Sequence, residues 1–220
     1  MITVEINGEE RQYPQGATYE DVANDYQQEY ENLIALAARD GKIRELFKKL
    51  TRDCEITFFT LKDDVGNKTY VRSATMLFLK AVFDVFGRET VQNCRVEFAI
   101  GNGSYISPKG KINATEENAA KIRNRMRELV EAKTPFLKRS YSLDNAMELF
   151  RKEGMKDKEK LFRYRRGSFV NIYEMDGYYD YYYGYMLPNA GYVKWFDVIA
   201  YEDGFMLLLP DKKDPTHVKP

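Results

Sequence analysis

The sequence predicts an α+β protein of two domains, and three observations support this fold class. Apolar and polar residues alternate over residues 2–6, and Asn7-Gly8 follows, which is the pattern of a β-hairpin. Residues 71–86 instead place apolar side chains at helical spacing. Residues 176–192 are rich in tyrosine and glycine and contain Pro-Asn-Ala-Gly, a composition that favours strands joined by turns.

The first domain, residues 1–62, is predicted to combine a hairpin, one helix and two more strands. Thr18 is the expected N-cap of the helix, and Glu20 and Asp21 follow in the first turn, where acidic side chains favour the helix dipole. In chain order we expect strands at residues 2–6 and 11–13, a helix over 18–28, and strands at 33–37 and 56–61.

A polar stretch at residues 63–67 predicts a loop and a domain boundary, so a second domain is expected over residues 68–210. Its first helix, at residues 71–86, should end at Gly87. Thr115 and Ser142 are the expected caps of two later helices. In chain order we expect helices at residues 115–134 and 142–154, strands at 168–173, 178–185, 192–199 and 204–209, and a polar tail at 211–220.

Basic and acidic residues are balanced at 34 each, so no global basic field indicates binding to nucleic acid or anionic membranes, and only a local patch could do so. No segment approaches the roughly 20 apolar residues that a membrane span requires. The first residues lack the pattern of a signal peptide. We therefore expect a cytoplasmic protein without a membrane partner.

Cys54 and Cys94 are isolated among apolar residues and fit no metal-ligand spacing, so both are expected to be buried free thiols. The only histidine, His217, lies in the polar tail. This pattern argues against a histidine-based triad and against a zinc site. Because Gly-x-x-x-x-Gly-Lys-Ser/Thr is missing, the chain is not a complete P-loop kinase. We expect neither a metal nor a cofactor in this chain.

The first domain resembles the TGS domain, a ubiquitin-like β-grasp module found at the start of threonyl-tRNA synthetases. The residues that carry this resemblance are Ile2-Thr3-Val4, residues 13–18 (Tyr-Pro-Gln-Gly-Ala-Thr) and Asp53-Cys54-Glu55-Ile56. The resemblance implies contact with RNA or a nucleotide, and regulation through that contact. A purely structural domain is the alternative.

The second domain resembles the second, editing domain of threonyl- and alanyl-tRNA synthetases. Residues 71–77 (Val-Arg-Ser-Ala-Thr-Met-Leu) are similar to that family's Ala-His-Ser-Ala-Thr-His-Leu. Residues 180–192 are similar to its Asp-Leu-Cys-Arg-Gly-Pro-His-Val-Pro-Ser-Thr-Gly-Tyr. The resemblance implies a pocket between these two segments. In the family, this pocket hydrolyses wrongly charged tRNA or, in alanyl-type relatives, binds a metal.

Four positions depart from the family pattern, because Arg72, Met76, Tyr182 and Met186 stand where it has histidine or cysteine. Arginine stays protonated, methionine has no proton to give, and tyrosine ionises near pH 10. Losing general acid–base help typically costs on the order of 10²–10⁴-fold in rate. We therefore expect a pocket without a catalytic residue. There are two alternatives: the pocket is filled and has become core, or the chain is a rewired hydrolase that uses Asp176 or Asp180.

Two sets of residues remain candidates for binding tRNA, another RNA or a nucleotide. If neither set binds such a ligand, the alternative is that the chain is a scaffold that only mediates oligomerisation. Phosphate contact is predicted for the basic segment at residues 156–166, although such a segment is often simply solvated. The pocket candidates are Arg72, Ser73, Met76, Asp180, Tyr182, Met186 and Tyr192. The phosphate candidates are Lys160, Arg163, Arg165 and Arg166.

The combination of both modules without the paired histidines resembles the N-terminal part of bacterial uridine-kinase-like proteins. Residues 180–192, Lys194-Trp195-Phe196-Asp197 and Glu202-Asp203-Gly204-Phe205 carry this resemblance. It implies that this chain precedes a nucleoside kinase domain, which would be its partner. ATP and magnesium would belong to that absent domain alone.

Overall fold

A computed structural model describes residues 1–164 and 167–219 and shows the predicted α+β fold. The first part of the chain forms five strands and one helix. These elements are β1 (Ile2–Ile6), β2 (Glu9–Tyr13), α1 (Tyr19–Tyr26), β3 (Ile34–Arg39), β4 (Lys42–Glu45) and β5 (Cys54–Thr60). Their sheet has the order β2-β1-β5-β3-β4, with β1 parallel to β5 and the other pairs antiparallel. This is the β-grasp arrangement that the sequence predicts.

Local capping explains where α1 begins. The Thr18 hydroxyl accepts the backbone N–H of Asp21 at 3.1 Å, and the Asp21 carboxylate accepts the Thr18 N–H at 2.7 Å. The predicted cap is therefore confirmed as a capping box. The helix ends at Tyr26, earlier than expected, because residues 27–29 tighten into a 3₁₀ turn. Strand β4 is short and was not predicted.

The predicted loop at residues 63–67 is wrong, because helix α2 (Asp64–Phe86) already begins there. Asp63 precedes the helix, and its carboxylate accepts the Thr60 N–H at 2.7 Å. Gly66 lies against the end of β5 so closely that a Cβ atom would come within 2.0 Å of the Thr60 carbonyl oxygen. Local contacts with the end of β5 therefore accompany this helix start. The domain limits at residues 62 and 68 stay a prediction.

The second part of the chain carries the remaining helices and two antiparallel sheets. The helices are α2, α3 (Arg88–Asn93), α4 (Glu116–Glu131), α5 (Leu143–Lys152) and α6 (Lys156–Phe162). The strands are β6 (Arg95–Ile100), β7 (Gly103–Ser107), β8 (Leu137–Ser142), β9 (Phe169–Met175), β10 (Tyr178–Asp180), β11 (Asp197–Tyr201) and β12 (Gly204–Leu208). One sheet has the order β10-β9-β8 and the other β11-β12-β7-β6.

Two predicted strands are much shorter than expected. The strand predicted at residues 178–185 stops at Asp180, and the one predicted at 192–199 begins only at Asp197. Residues 181–189 contain no helix or strand, and a 3₁₀ turn at Ala190–Tyr192 follows them. Gly184, Pro188 and contacts with α2 interrupt the pleat that tyrosine otherwise favours. The basic segment also differs from expectation, since helix α6 occupies most of it.

The core divides into clusters that meet between the two parts of the chain. One large cluster packs α2 and α4 against strands β7, β11 and β12, and another fills the β-grasp sheet beneath α1. Tyr192 packs against both clusters. Cys54 and Cys94 are buried free thiols, as predicted. Within the described residues, no helix is long and apolar enough to cross a membrane. In the predicted tail, His217 is exposed, and Pro220 lies outside the described residues.

Candidate functional site

Helix α2 and residues 182–187 face each other, as the predicted pocket requires. Arg72 connects them, because its Nε donates to the Tyr185 carbonyl at 3.0 Å and its Nη2 donates to the Thr69 hydroxyl at 3.3 Å. A Cβ atom on Gly184 would lie 2.7 Å from Arg72 Cζ, so only glycine allows this approach. Burial lowers the pKa of Arg72, yet an arginine remains charged near neutrality. The guanidinium thus holds the backbone of the facing segment.

The centre of this contact is closed. Ser73 is fully buried, and its hydroxyl donates to the Thr69 carbonyl at 2.9 Å and accepts the Leu187 N–H at 2.9 Å. Its oxygen also lies 3.9 Å from the Met186 sulfur. Met76 and Met186 are both 0% exposed and belong to the same hydrophobic cluster. Two of the four altered positions are therefore part of the core.

Tyr182 lies at the edge of this contact and has an unsatisfied hydroxyl. Its oxygen is buried and has no hydrogen-bond partner among the described residues. Burial raises the pKa of Tyr182 well above its usual value, which makes it a still poorer base at neutral pH. Its ring packs edge-on against Tyr173, with 6.5 Å between the centroids.

Asp180, a predicted pocket residue, forms no ion pair with Arg72, the other charged candidate, among the described residues. It is 3% exposed and instead contacts the ammonium group of Lys158 on α6. The Tyr178 hydroxyl donates to Asp180 at 3.1 Å, and the Tyr181 N–H donates at 2.6 Å. Burial lowers the pKa of Lys158 to about 8, while the nearby Asp157 carboxylate opposes this shift.

This ion pair borders a cavity of about 210 Å³ between α2, α3, α6 and β10. Thr75 and Leu79 of α2 line it together with Tyr182, so the cavity adjoins the predicted pocket. The sequence placed Lys158 in a basic segment and gave no sign that it contacts this cavity. Only the fold of α6 back onto β10 brings Lys158 to Asp180.

Glu45 is a second residue that sequence reasoning missed. It is 2% exposed at the end of β4, and it accepts from Lys138 Nζ at 2.9 Å and from the Met186 N–H at 3.2 Å. The Tyr173 hydroxyl also donates to it. A buried carboxylate of the β-grasp sheet thereby holds the segment that carries Met186.

The remaining predicted residues lie elsewhere. Tyr192 lines a different cavity, at the junction of the two parts of the chain, and burial and the nearby Glu20 carboxylate raise its pKa. Lys160 is exposed on α6, and Arg163 pairs with Glu159 at 3.2 Å. The other two phosphate candidates, Arg165 and Arg166, lie outside the described residues. Residues 1–164 and 167–219 contain no group of three or more His, Cys, Asp or Glu side chains that could hold a metal ion.

Sequence comparisons find similarity to proteins named threonine–tRNA ligase. The chain is 28% identical over 197 residues to the protein of Thermotoga neapolitana, covering 88% of this chain and 30% of that protein. It is 28% identical over 193 residues to the protein of Maricaulis maris, covering 87% of this chain and 30% of the relative. It is 24% identical over 194 residues to the protein of Porphyromonas gingivalis, covering 86% and 29% respectively.

The chain therefore spans about 30% of the length of these relatives. No protein-family model matches it. The predicted uridine-kinase-like assignment has no support in these similarities. They support homology to the N-terminal region of threonyl-tRNA synthetase.

Proposed function

We propose that this chain is a non-catalytic, RNA-binding module whose editing-type site has lost its chemistry. The name of the relatives, threonine–tRNA ligase, supplies the ligand class, a transfer RNA. The observation that carries the proposal is the closed contact between α2 and residues 182–187. There the Ser73 hydroxyl is engaged on both sides, and Met76 and Met186 are fully buried.

Hydrolysis of an aminoacyl ester needs a group that takes a proton from water near neutral pH. Ser73 has no adjacent base among the described residues, and the raised pKa of Tyr182 removes it from this role. Asp180 is held by Lys158, and Asp176 pairs with Lys80 at 3.3 Å. The rewired hydrolase therefore lacks a free carboxylate at Asp180. The Asp176 side chain is 69% exposed and is not a hydrogen-bond partner of Ser73, which is bonded to Thr69 and Leu187.

A salt-dependent titration with a deacylated threonine tRNA transcript tests RNA binding. We expect complex formation at low salt, with the logarithm of the association constant falling linearly with the logarithm of salt concentration, because phosphate contacts release counterions. ATP, as a representative mononucleotide, should bind much more weakly, since it presents few phosphates. An absence of tRNA binding at low salt would favour the scaffold alternative and contradict the proposal.

A further inference from the structure

A groove runs along the junction between the β-grasp sheet and the second part of the chain. It consists of two adjoining cavities of about 620 and 280 Å³, which share Glu20, Lys133 and Asn189. The first is also lined by the loop after β4 and the start of β8, and the second by α1 and Tyr192. Because the two cavities adjoin, one ligand could contact residues of both.

Positive charge is concentrated in this groove although the whole chain is neutral. Lys48, Lys49, Lys133 and Lys194 are exposed, and throughout the described ranges none of them has a carboxylate within ion-pair distance. The single acidic lining residue, Glu20, accepts from the Asn189 side chain at 3.3 Å. The four ammonium groups are therefore available to an anionic ligand.

The backbone fixes the positions of these lysines. The Lys48 carbonyl accepts the Tyr19 N–H at 3.0 Å, which anchors the loop after β4 to the start of α1. Lys133 follows the end of α4 with φ of 49°, and its N–H donates to the Val130 carbonyl at 3.0 Å. The groove therefore presents its charges from anchored backbone on both walls.

We infer that this groove is the site where the chain holds the phosphate backbone of RNA. Lysines on two walls suit a repeating anion, because phosphate contact supplies most of the sequence-independent affinity. The half-buried ring of Phe47 also lines the groove, and the Lys48 ammonium lies 5.5 Å from its centroid. A base that stacks on the opposite face of this ring would lie close to that positive charge. This inference rests on the proposed function. It places the RNA-binding site in the groove and not at the predicted basic segment, residues 156–166.

The test measures tRNA binding by the full chain after Lys48→Ala, Lys49→Ala, Lys133→Ala and Lys194→Ala, singly and combined. Each lysine that contacts phosphate should make the salt slope shallower by roughly 0.7 to 0.9, the range between single strands and duplex DNA. Lys121→Ala and Lys62→Ala are matched controls, since both lysines are exposed outside the groove and already ion-paired. Lys160→Ala tests the predicted basic segment in parallel.

The outcomes separate this inference from the proposed function. If the wild-type chain binds tRNA and the combined groove variant binds it with an unchanged slope, the groove assignment is wrong while RNA binding stands. If the wild-type chain does not bind tRNA at low salt, the proposed function itself fails. Binding of poly-glutamate that exceeds tRNA binding and depends on the same lysines would assign the groove to an acidic protein and overturn the inference.

Discussion

Replacing Glu45 with alanine is expected to lower the free energy of unfolding by about 3 kcal/mol, because the change breaks a buried ion pair. It leaves Lys138, the Tyr173 hydroxyl and the Met186 N–H without their shared acceptor. Lys138 keeps 15% of its side chain exposed and can recover some hydration, so we expect the lower end of the range for such pairs. Urea denaturation followed by the fluorescence of Trp195, the only tryptophan, measures the loss.

Two variants make this test specific. Glu45→Gln keeps a side-chain oxygen that can accept from Met186 and Tyr173, so it should be less destabilising than the alanine variant. Glu55→Ala removes an exposed carboxylate from the same sheet and should stay within about 0.5 kcal/mol of the wild-type chain. Equal effects of Glu45→Ala and Glu55→Ala would show that Glu45 does not join the two parts of the chain.

The second large effect is loss of stability above about pH 10, the ordinary pKa of tyrosine. Tyr70, Tyr173 and Tyr178 are at most 3% exposed, and burial raises the pKa of each. Above pH 10 the unfolded chain releases these protons while the folded chain retains them, so rising pH favours unfolding. Each tyrosine should remove roughly 1.4 kcal/mol per pH unit, or roughly 4 kcal/mol per unit for the three.

Urea midpoints measured at several pH values on both sides of pH 10 test this slope. Tyr178→Phe removes one ionisable group and should make the slope shallower, whereas Tyr183→Phe should not, because Tyr183 is 87% exposed. Lys158 opposes the effect only below about pH 10.4, since above the ordinary lysine pKa both states hold the neutral amine. Stability that is independent of pH above 10 would contradict the burial of these tyrosines.

Features specified by neighbouring residues were predictable from the sequence. The hairpin at Asn7-Gly8 and the cap at Thr18 depend on residues a few positions apart, and both occur in the structure. Short elements such as β4, α3 and α6 were missed, because a few residues carry too little periodicity to reveal them. Gly66, which lies against the Thr60 carbonyl, is part of a helix that extends through residues whose polarity indicated a loop.

The candidate site was predictable only where a resemblance pointed to it. Helix α2 and residues 182–187 lie opposite each other, as the expected pocket requires. Closure of that pocket depends on the hydrogen bonds of Ser73, which the sequence does not show. Glu45 could not be found, because its partners Lys138 and Met186 lie 93 and 141 residues away along the chain. The chemical roles of the predicted residues stay predictions.

The most direct test of the proposed loss of chemistry is a single-turnover assay with threonine tRNA that carries serine. We expect the chain to bind this tRNA while serine is released no faster than in its absence, because Ser73, Tyr182 and Asp180 supply no available base. Accelerated serine release that is abolished by Ser73→Ala or Asp180→Asn would contradict the account and identify this chain as an active deacylase.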